Sequence, residues 1–566
     1  MPADKPHFNV AIIGSGIAGS ALGAILARQG LKVIIFEAKS HPRFAIGESL
    51  ILETSETMRA LADLFDVPEL AYFSSENYFS HIGTSHGVKR HFSFLYHDPH
   101  QQTHNLQQTL QAVIPKQPHG HELHLYRQDS DYFLMTTAIA YGAVVLQNTP
   151  VKDVTIRPEG VEIVTNDGRT FAADYVVDAG GFRSILADKY DLRDRAVRTH
   201  SRAIFTHMVN VPCYHEVSAS KKTYGLPFRV SEGTLHHVFE GGWLWVIPFD
   251  NHPRSTNPLC SVGLMLDPRV HPLREDLTAE AEFWAFLEMF PAIQAQFTSA
   301  RPVRDWTRTG RIQYSSKQVV GDRFCLLGHA AGFIDPLFSK GLYTSLMTAG
   351  LLAHLLLEAH QAGDYAAARF APLETLTLNF IRTNDRLIAN AYKSFGNYKL
   401  WNVYTVLWLL GAYTELIKLH SAHFQAVDRR SYFAQVASLK LVGGGFEVFD
   451  RVAAVIDTII DQVDPHDEAA VDRAVAAIKA VFAGLDWLPL PFRDILDGKN
   501  HLPANKLRLR LFKPETGFMG RGSYRRHFFG DRSLADVVWA FVQEELKYSR
   551  PSLALKHRLD YAAKRE

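Results

Sequence analysis

A short run near the amino terminus, Gly14-Ser15-Gly16-Ile17-Ala18-Gly19, constrains this chain more than any other feature. It follows the wholly apolar strand pattern Val10-Ala11-Ile12-Ile13 and opens a helical pattern of small and apolar residues from Ser20 to Arg28. Gly30 ends that helix, and Lys32 to Phe36 is the next strand. The alternation is one βαβ unit of an open α/β sheet. Within it Gly14 permits the tight turn, Gly16 lets backbone approach a pyrophosphate, and Gly19 lets the helix pack on the sheet. Ile17 and Ala18 complete the dinucleotide loop. Glu37 ends the second strand, 18 residues after Gly19, where a carboxylate accepts ribose hydroxyls and favours FAD or NAD over NADP. The bland alternative is a Gly-rich turn without a ligand.

With 566 residues the chain has room for two or three domains. Its 47% apolar and 21% charged residues are ordinary for a soluble globular protein, and a net charge of +1 gives no reason to expect nucleic acid or an acidic membrane surface as partner. Cys213, Cys260 and Cys325 are odd in number and far apart, which makes neither a disulfide framework nor a zinc cluster and fits a reducing cytoplasm. The start, Met1 to Phe8, is short and polar and carries no signal-peptide pattern. Leu400 to Leu419 is the most apolar late segment, but Asn402, Thr405, Thr414, Glu415 and Lys418 interrupt it. It reads as a buried or interface helix, with no membrane span expected.

Strand patterns recur at Ala143 to Leu146, Val161 to Val164 and Tyr175 to Val177, then at Ala203 to Val211, Leu235 to Phe239, Trp243 to Phe249 and Cys260 to Leu266. The second group suggests an antiparallel, substrate-side layer. The expected division is a first domain over 1–194 with an inserted substrate-side segment at about 75–130, the antiparallel layer over 195–320, a return to the first domain over 321–370 beginning at Phe324, and a helical region over 371–566. The basic stretch from Lys506 to Arg526 is expected to be solvated loop.

Gly332 to Leu342 combines a Gly turn, Pro336 at a plausible first helical position, and an apolar run from Leu342 to Leu357. Backbone N–H groups at such a helix start form an anion site, suited to a flavin edge or a halide. Alone, the run is equally a plain loop-to-helix cap.

Tyr175-Val176-Val177-Asp178-Ala179-Gly180-Gly181 resembles the D-A-x-G strand-turn of FAD-dependent monooxygenase-like proteins, and Gly328-His329-Ala330-Ala331-Gly332 resembles their late G-D-A-A-G motif, with His329 in place of Asp. Four further matches make residues 8 to 360 similar to flavin-dependent halogenases of the phenol and pyrrole type. Gly242-Trp243-Leu244-Trp245-Val246-Ile247-Pro248 fits G-W-x-W-x-I-P, whose tryptophans lie beside the flavin and keep substrate from it; two indoles on one strand face is the structural alternative. Phe333-x-x-Pro336-x-x-Ser339-x-Gly341 fits F-x-x-P-x-x-S-x-G, which implies halide held by the backbone of Lys340 and Gly341, with Leu342 beside the flavin. Phe338 stands where tryptophan halogenases carry a Glu, so free tryptophan is not the expected substrate. Gly47-Glu48-Ser49 resembles the loop over the flavin, and Val88 to Phe94 resembles the segment bearing the catalytic lysine, Lys89 here, with His91 in place of Gly. Arg127 and Asp131 fit an R-x-x-x-D pattern in which Arg127 contacts FAD, although a plain helix N-cap at Asp129 or Ser130 is an equal reading. Val151, Asp178, His329 and Asp335 complete the flavin contacts that the resemblance implies.

The resemblance implies an α/β fold: a doubly wound, glutathione-reductase-like FAD-binding domain with an antiparallel substrate-side sheet and a helical C-terminal region. It implies FAD, delivered reduced by a separate flavin reductase, together with dioxygen and chloride or bromide. Hypohalous acid would form at the flavin and pass to Lys89, which either polarises it as an ammonium or forms a haloamine. The acceptor would be an electron-rich aromatic, free or tethered to a carrier protein. Two other readings compete: an FAD monooxygenase of the same fold without halide chemistry, and a non-catalytic scaffold that would bind no FAD.

Overall fold

Val10 to Ile13 lies at the centre of a mostly parallel sheet, in the strand His7–Ile13. In this computed structural model, which describes residues 5–118, 120–218, 225–513, 516–519 and 522–548, the sheet order runs Val320–Gly321, Phe324–Leu326, Thr170–Asp178, His7–Ile13, Val33–Phe36, Val144–Leu146. Ile13 pairs with Asp178 on one side and Phe36 on the other, so these strands end together at one edge. Burial on both faces is why they read as unbroken apolar runs. The hairpin Val151–Arg157 and Gly160–Thr165 extends the sheet antiparallel from Thr170–Asp178. Phe324–Leu326 returns the chain to it.

The glycines of the first turn are obligatory. Gly14 has φ +100°, and a Cβ there would lie 2.6 Å from the Ala179 carbonyl oxygen. A Cβ on Gly19 would lie 2.1 Å from the carbonyl oxygen of Gly14.

The second sheet runs Arg301–Pro302, Arg202–Val209, Cys260–Leu266, Gly242–Pro248, Thr234–Phe239, His91–Tyr96, Thr109–Val113. Its last two strands come from the 75–130 segment, and Thr234–Phe239 pairs with His91–Tyr96 in parallel. The layer is therefore mixed and not purely antiparallel, because a long crossover rather than a hairpin brings these two strands together. Period-2 alternation splits its faces. Trp243 and Trp245 join the main core, whereas Leu244 and Val246 pack with Phe283, Phe286 and Phe290 in a second cluster.

Helices Ala371–Ser394 and Tyr398–Gln425 lead the C-terminal region. Three polar residues within Leu400–Leu419 find partners inside the protein: Thr405 and Thr414 donate to the carbonyls of Trp401 and Leu410, and Glu415 Oε2 meets Lys340. Among the described residues one helix, Gly341–Ala362, is long and apolar enough to cross a membrane, and 78% of its apolar window is buried in the core.

Two expectations are corrected. Pro336 is not at a first helical position: the chain makes a further turn, with Ser339 at φ +55°, and the helix starts at Gly341 after Lys340. The stretch from Lys506 to Arg526 is not loop. It holds the helices Leu507–Phe512 and part of Gly522–Phe529, because Leu507, Leu511, Phe518 and Tyr524 interleave its basic residues and are buried. Residues 514, 515, 520 and 521 lie outside the described residues.

Candidate active site

The site begins where the parallel strands end. Glu37 is buried, and its carboxylate accepts from the Ser15 N–H and hydroxyl, the Lys39 N–H and Arg43. Burial pushes this carboxyl up, but Arg43 and the hydrogen bonds prevail and hold it below its ordinary value. Oε1 takes only one of these donors, which leaves it capacity for a ribose hydroxyl. The helix Ile17–Arg28 has no side-chain cap at Gly16, and a Cβ there would meet only Arg43, at 3.8 Å. Open space at an uncapped helix start is what a pyrophosphate requires, so these residues fit a dinucleotide. Ile17 is buried and Ala18 half-buried in that first turn. Val151 starts its strand two residues after Thr149, whose N–H donates to the Glu37 carbonyl.

A cavity of about 700 Å³ is lined by the second sheet, through Phe205, Trp243, Trp245 and Met265, and by residues between Gly328 and Leu342. Gly47, Glu48, Ser49 and Arg127 line one end, and Trp243 and Trp245 stand on a long wall with ring centroids 5.7 Å apart. Arg127 is the first residue of the helix Arg127–Ala140; it pairs with Asp131 at 2.7 Å and donates to the carbonyls of Ile46 and Gly47. Neither Asp129 nor Ser130 caps that helix, whose N-cap is Tyr126. Glu48 turns its carboxylate to His207, 2.8 Å away, so it braces the loop against the second sheet. His329 opens onto the cavity, and burial together with Arg127 pushes its imidazole down to about 4, a neutral ring. Asp335 also lines the cavity; it accepts from Ser201 and Tyr392, and burial lifts it to about 6. Asp178 does not line the cavity: its carboxylate is used up holding the turn, accepting from Gly180, Ser184 and Leu186.

The opposite wall is the Ser339 to Leu342 loop. The N–H groups of Gly341 and Leu342 belong to the first turn of a helix and have no intrahelical acceptor. The Lys340 side chain points away, into a buried cluster with Glu53 at 2.6 Å and Glu415 at 3.1 Å. Burial works against its charge, but the two carboxylates outweigh it and hold Lys340 above its ordinary value.

Lys89 is wholly buried. Its Nζ donates to Ser49 Oγ at 2.7 Å and the Leu50 carbonyl at 2.9 Å, and lies 3.5 Å from Ser339 Oγ. It also sits 3.4 Å from the centroid of the Phe92 ring. Ser49 and Ser339 line the large cavity, whereas Phe92 lines a second, smaller one of about 40 Å³ walled by Phe338, Trp408 and Tyr413. Lys89 thus stands in the partition between two cavities. Burial drives its ammonium well below the usual lysine range, against the opposing pull of Glu122 and Glu53.

Sequence reasoning overlooked Glu53, Glu122, Trp408 and Glu415. Only Glu415 carries a local signal, a charge inside an apolar helical run.

The family described as tryptophan halogenase matches residues 87–394, and an NAD(P)-binding Rossmann-like domain matches residues 12–48. Monodechloroaminopyrrolnitrin halogenase of Pseudomonas fluorescens is 42% identical over 494 residues, which is 81% of this chain and 86% of that protein. Tetracycline 7-halogenase of Kitasatospora aureofaciens is 40% identical over 530 residues, 91% of this chain and 93% of that one. The crystal structure of halogenase PltM in complex with phloroglucinol and FAD superposes with a TM-score of 0.81 at 33% identity, over 87% of this chain and 99% of that one.

Proposed function

The chain belongs to the flavin-dependent halogenases of the tryptophan-halogenase family, and from that premise we propose that it halogenates a small, free, electron-rich aromatic by way of Lys89. When bound, reduced FAD supplies with dioxygen the oxidation of chloride or bromide to hypohalous acid, a separate flavin reductase having furnished the electrons. Gly14 and Gly19 let the turn close, Gly16 leaves room for the pyrophosphate and Glu37 takes the ribose. The N–H groups of Lys340 and Gly341 hold the halide at the positive end of the helix, with Leu342 alongside. The Lys340 ammonium adds little attraction, since two carboxylates already neutralise it.

Trp243 and Trp245 keep the aromatic substrate out of the large cavity. Lys89 donates a hydrogen bond to the oxygen of hypohalous acid, draws electron density from the halogen and makes it electrophilic. The observation that carries this reading is the position of Lys89, hydrogen-bonded to Ser49 of the large cavity and set over Phe92 of the small one. The small cavity falls short of the roughly 150 Å³ that accepts a benzene, so a substrate ring displaces one of its walls, Phe338 or Trp408. Tight aromatic walls favour a free small molecule over a carrier-tethered one, and phenol- or pyrrole-like rings over a bulky one.

A reductase-coupled assay with bromide and a panel of phenols and pyrroles tests the reading. Products carrying the bromine isotope doublet are expected. Hydroxylated products without bromine would instead assign the chain to the monooxygenase chemistry of the same fold.

A further inference from the structure

Directly opposite Lys89, on the short antiparallel ribbon that pairs Gly87–Lys89 with Glu122–His124, stands Glu122. Opposed residues of such a pair project to the same face, with Cβ atoms about 4.5–5.5 Å apart. Both are fully inside the protein, at 0% and 1% exposure. One carboxylate oxygen of Glu122 accepts from the Ser55 hydroxyl. The other, Oε1, is buried and has no hydrogen-bond partner among the described residues. An unpaired buried carboxylate oxygen is costly, and a proton on the group removes most of that cost.

Of the described charged groups that act on Lys89, namely Glu122, Glu53 and Lys340, Glu122 is the one not held in another ion pair. Glu53 faces the same ammonium but is committed to Lys340 at 2.6 Å. Burial forces His91 and His124 down to about 3 and His236 well below its ordinary value, so these rings are neutral and hold no proton to give. Burial outweighs the Ser55 hydroxyl and the Arg59 and Lys89 charges at Glu122 and lifts it to about 7, while burial brings Lys89 down from above. Two facing groups whose proton affinities converge are suited to exchanging a proton.

We propose that Glu122 is the proton partner of Lys89 in halogen transfer. The inference rests on the role given to Lys89 above. As the ring carbon attacks, the carbon–halogen bond forms and the oxygen–halogen bond breaks. The departing hydroxide takes a proton from the Lys89 ammonium and leaves as water. The Glu122 carboxyl returns a proton to the amine, and the proton lost from the ring restores the carboxyl, so no net proton is gained or lost. Glu122 acts through Lys89 and does not touch the halogen.

The test compares Glu122→Gln and Glu122→Asp with the unaltered protein, supplied with FAD, a flavin reductase, bromide and a phenol. Hypobromous acid is captured in parallel by added methionine. In the unaltered protein, bromophenol formed per hypobromous acid is expected to fall as pH rises through about 7, where Glu122 loses its proton. Glu122→Gln is expected to keep hypobromous acid formation, lose at least tenfold in bromophenol and show no such fall with pH. Glu122→Asp is expected to regain part of the yield with its pH limb displaced. If Glu122→Gln does not fold, the limb of Glu122→Asp decides: a limb unchanged in position overturns the proposal, as does a Glu122→Gln protein with unaltered yield and pH profile. Lys89→Ala separates the two levels. Retained bromophenol there removes the role of Lys89 itself, whereas loss there with an unaffected Glu122→Gln removes only Glu122.

Discussion

Lys340 Nζ lies 2.6 Å from Glu53 Oε1, a buried bond that ties the Ser339 to Leu342 loop to the helix Leu52–Phe65. Glu415, 3.1 Å away on Tyr398–Gln425, closes the cluster from the C-terminal region and accepts the N–H of Val442 as well. The helical region is therefore a structural part of the Ser339 to Leu342 loop, where the halide is proposed to bind. Glu415→Gln keeps the volume and the Glu53 bond but weakens the clamp. It is expected to raise the halide KM by about tenfold, corresponding to about 1.4 kcal/mol, with FAD affinity unchanged. Steady-state rates against bromide concentration check this.

At Gly16 a side chain would meet almost no protein, whereas at Gly14 a Cβ would strike the Ala179 carbonyl at 2.6 Å. Gly16→Val is thus expected to abolish FAD binding while melting at the native temperature, and Gly14→Ala to destabilise the fold itself. Flavin titration and thermal melts separate the two. Native FAD affinity in Gly16→Val contradicts the placement of the pyrophosphate.

His423 joins the same two helices, 3.0 Å from Glu56 and 3.1 Å from Asp63. Burial lowers its proton affinity, but these two carboxylates overcome burial and raise it to about 9. The folded value lies above the ordinary histidine value of about 6.5, so this stabilisation is complete below pH 6.5 and is lost as pH rises through 9. Its size is on the order of 3 kcal/mol. Resistance to urea unfolding is expected to fall between pH 6.5 and 9, and His423→Gln to flatten that slope.

Trp408 stacks on Phe338 at 4.5 Å and is met edge-on by Phe92 at 5.0 Å. Trp408→Ala is expected to cost about 3–5 kcal/mol of stability and to shift activity toward larger phenols. A substrate range that does not move would place the aromatic binding site elsewhere.

What could be read from the sequence was whatever backbone geometry demands of particular residues. Gly14 and Gly19 announce their turn because no other residue fits there, and Trp243 and Trp245 share a face because a strand has period two. Lys89 could be singled out only through a resemblance, and its cross-strand partner Glu122 not at all, since two three-residue strands leave no periodic trace. Glu53 looks like an ordinary acidic residue near a helix start until Lys340 is brought against it. Pro336 misled because the left-handed Ser339 delays the helix to Gly341. In the segment after Lys506 the basic residues hid the buried Leu507, Leu511 and Tyr524 between them.

The most direct measurement takes Lys89→Ala with FAD, a flavin reductase, bromide and a phenol, and follows flavin reoxidation, hypobromous acid captured by methionine, and bromophenol together. The expected result is reoxidation and hypobromous acid at native levels with bromophenol absent, because Lys89 lies in the partition beyond Ser339 and not in the halide loop itself. Substantial bromophenol from this variant would contradict the role assigned to Lys89.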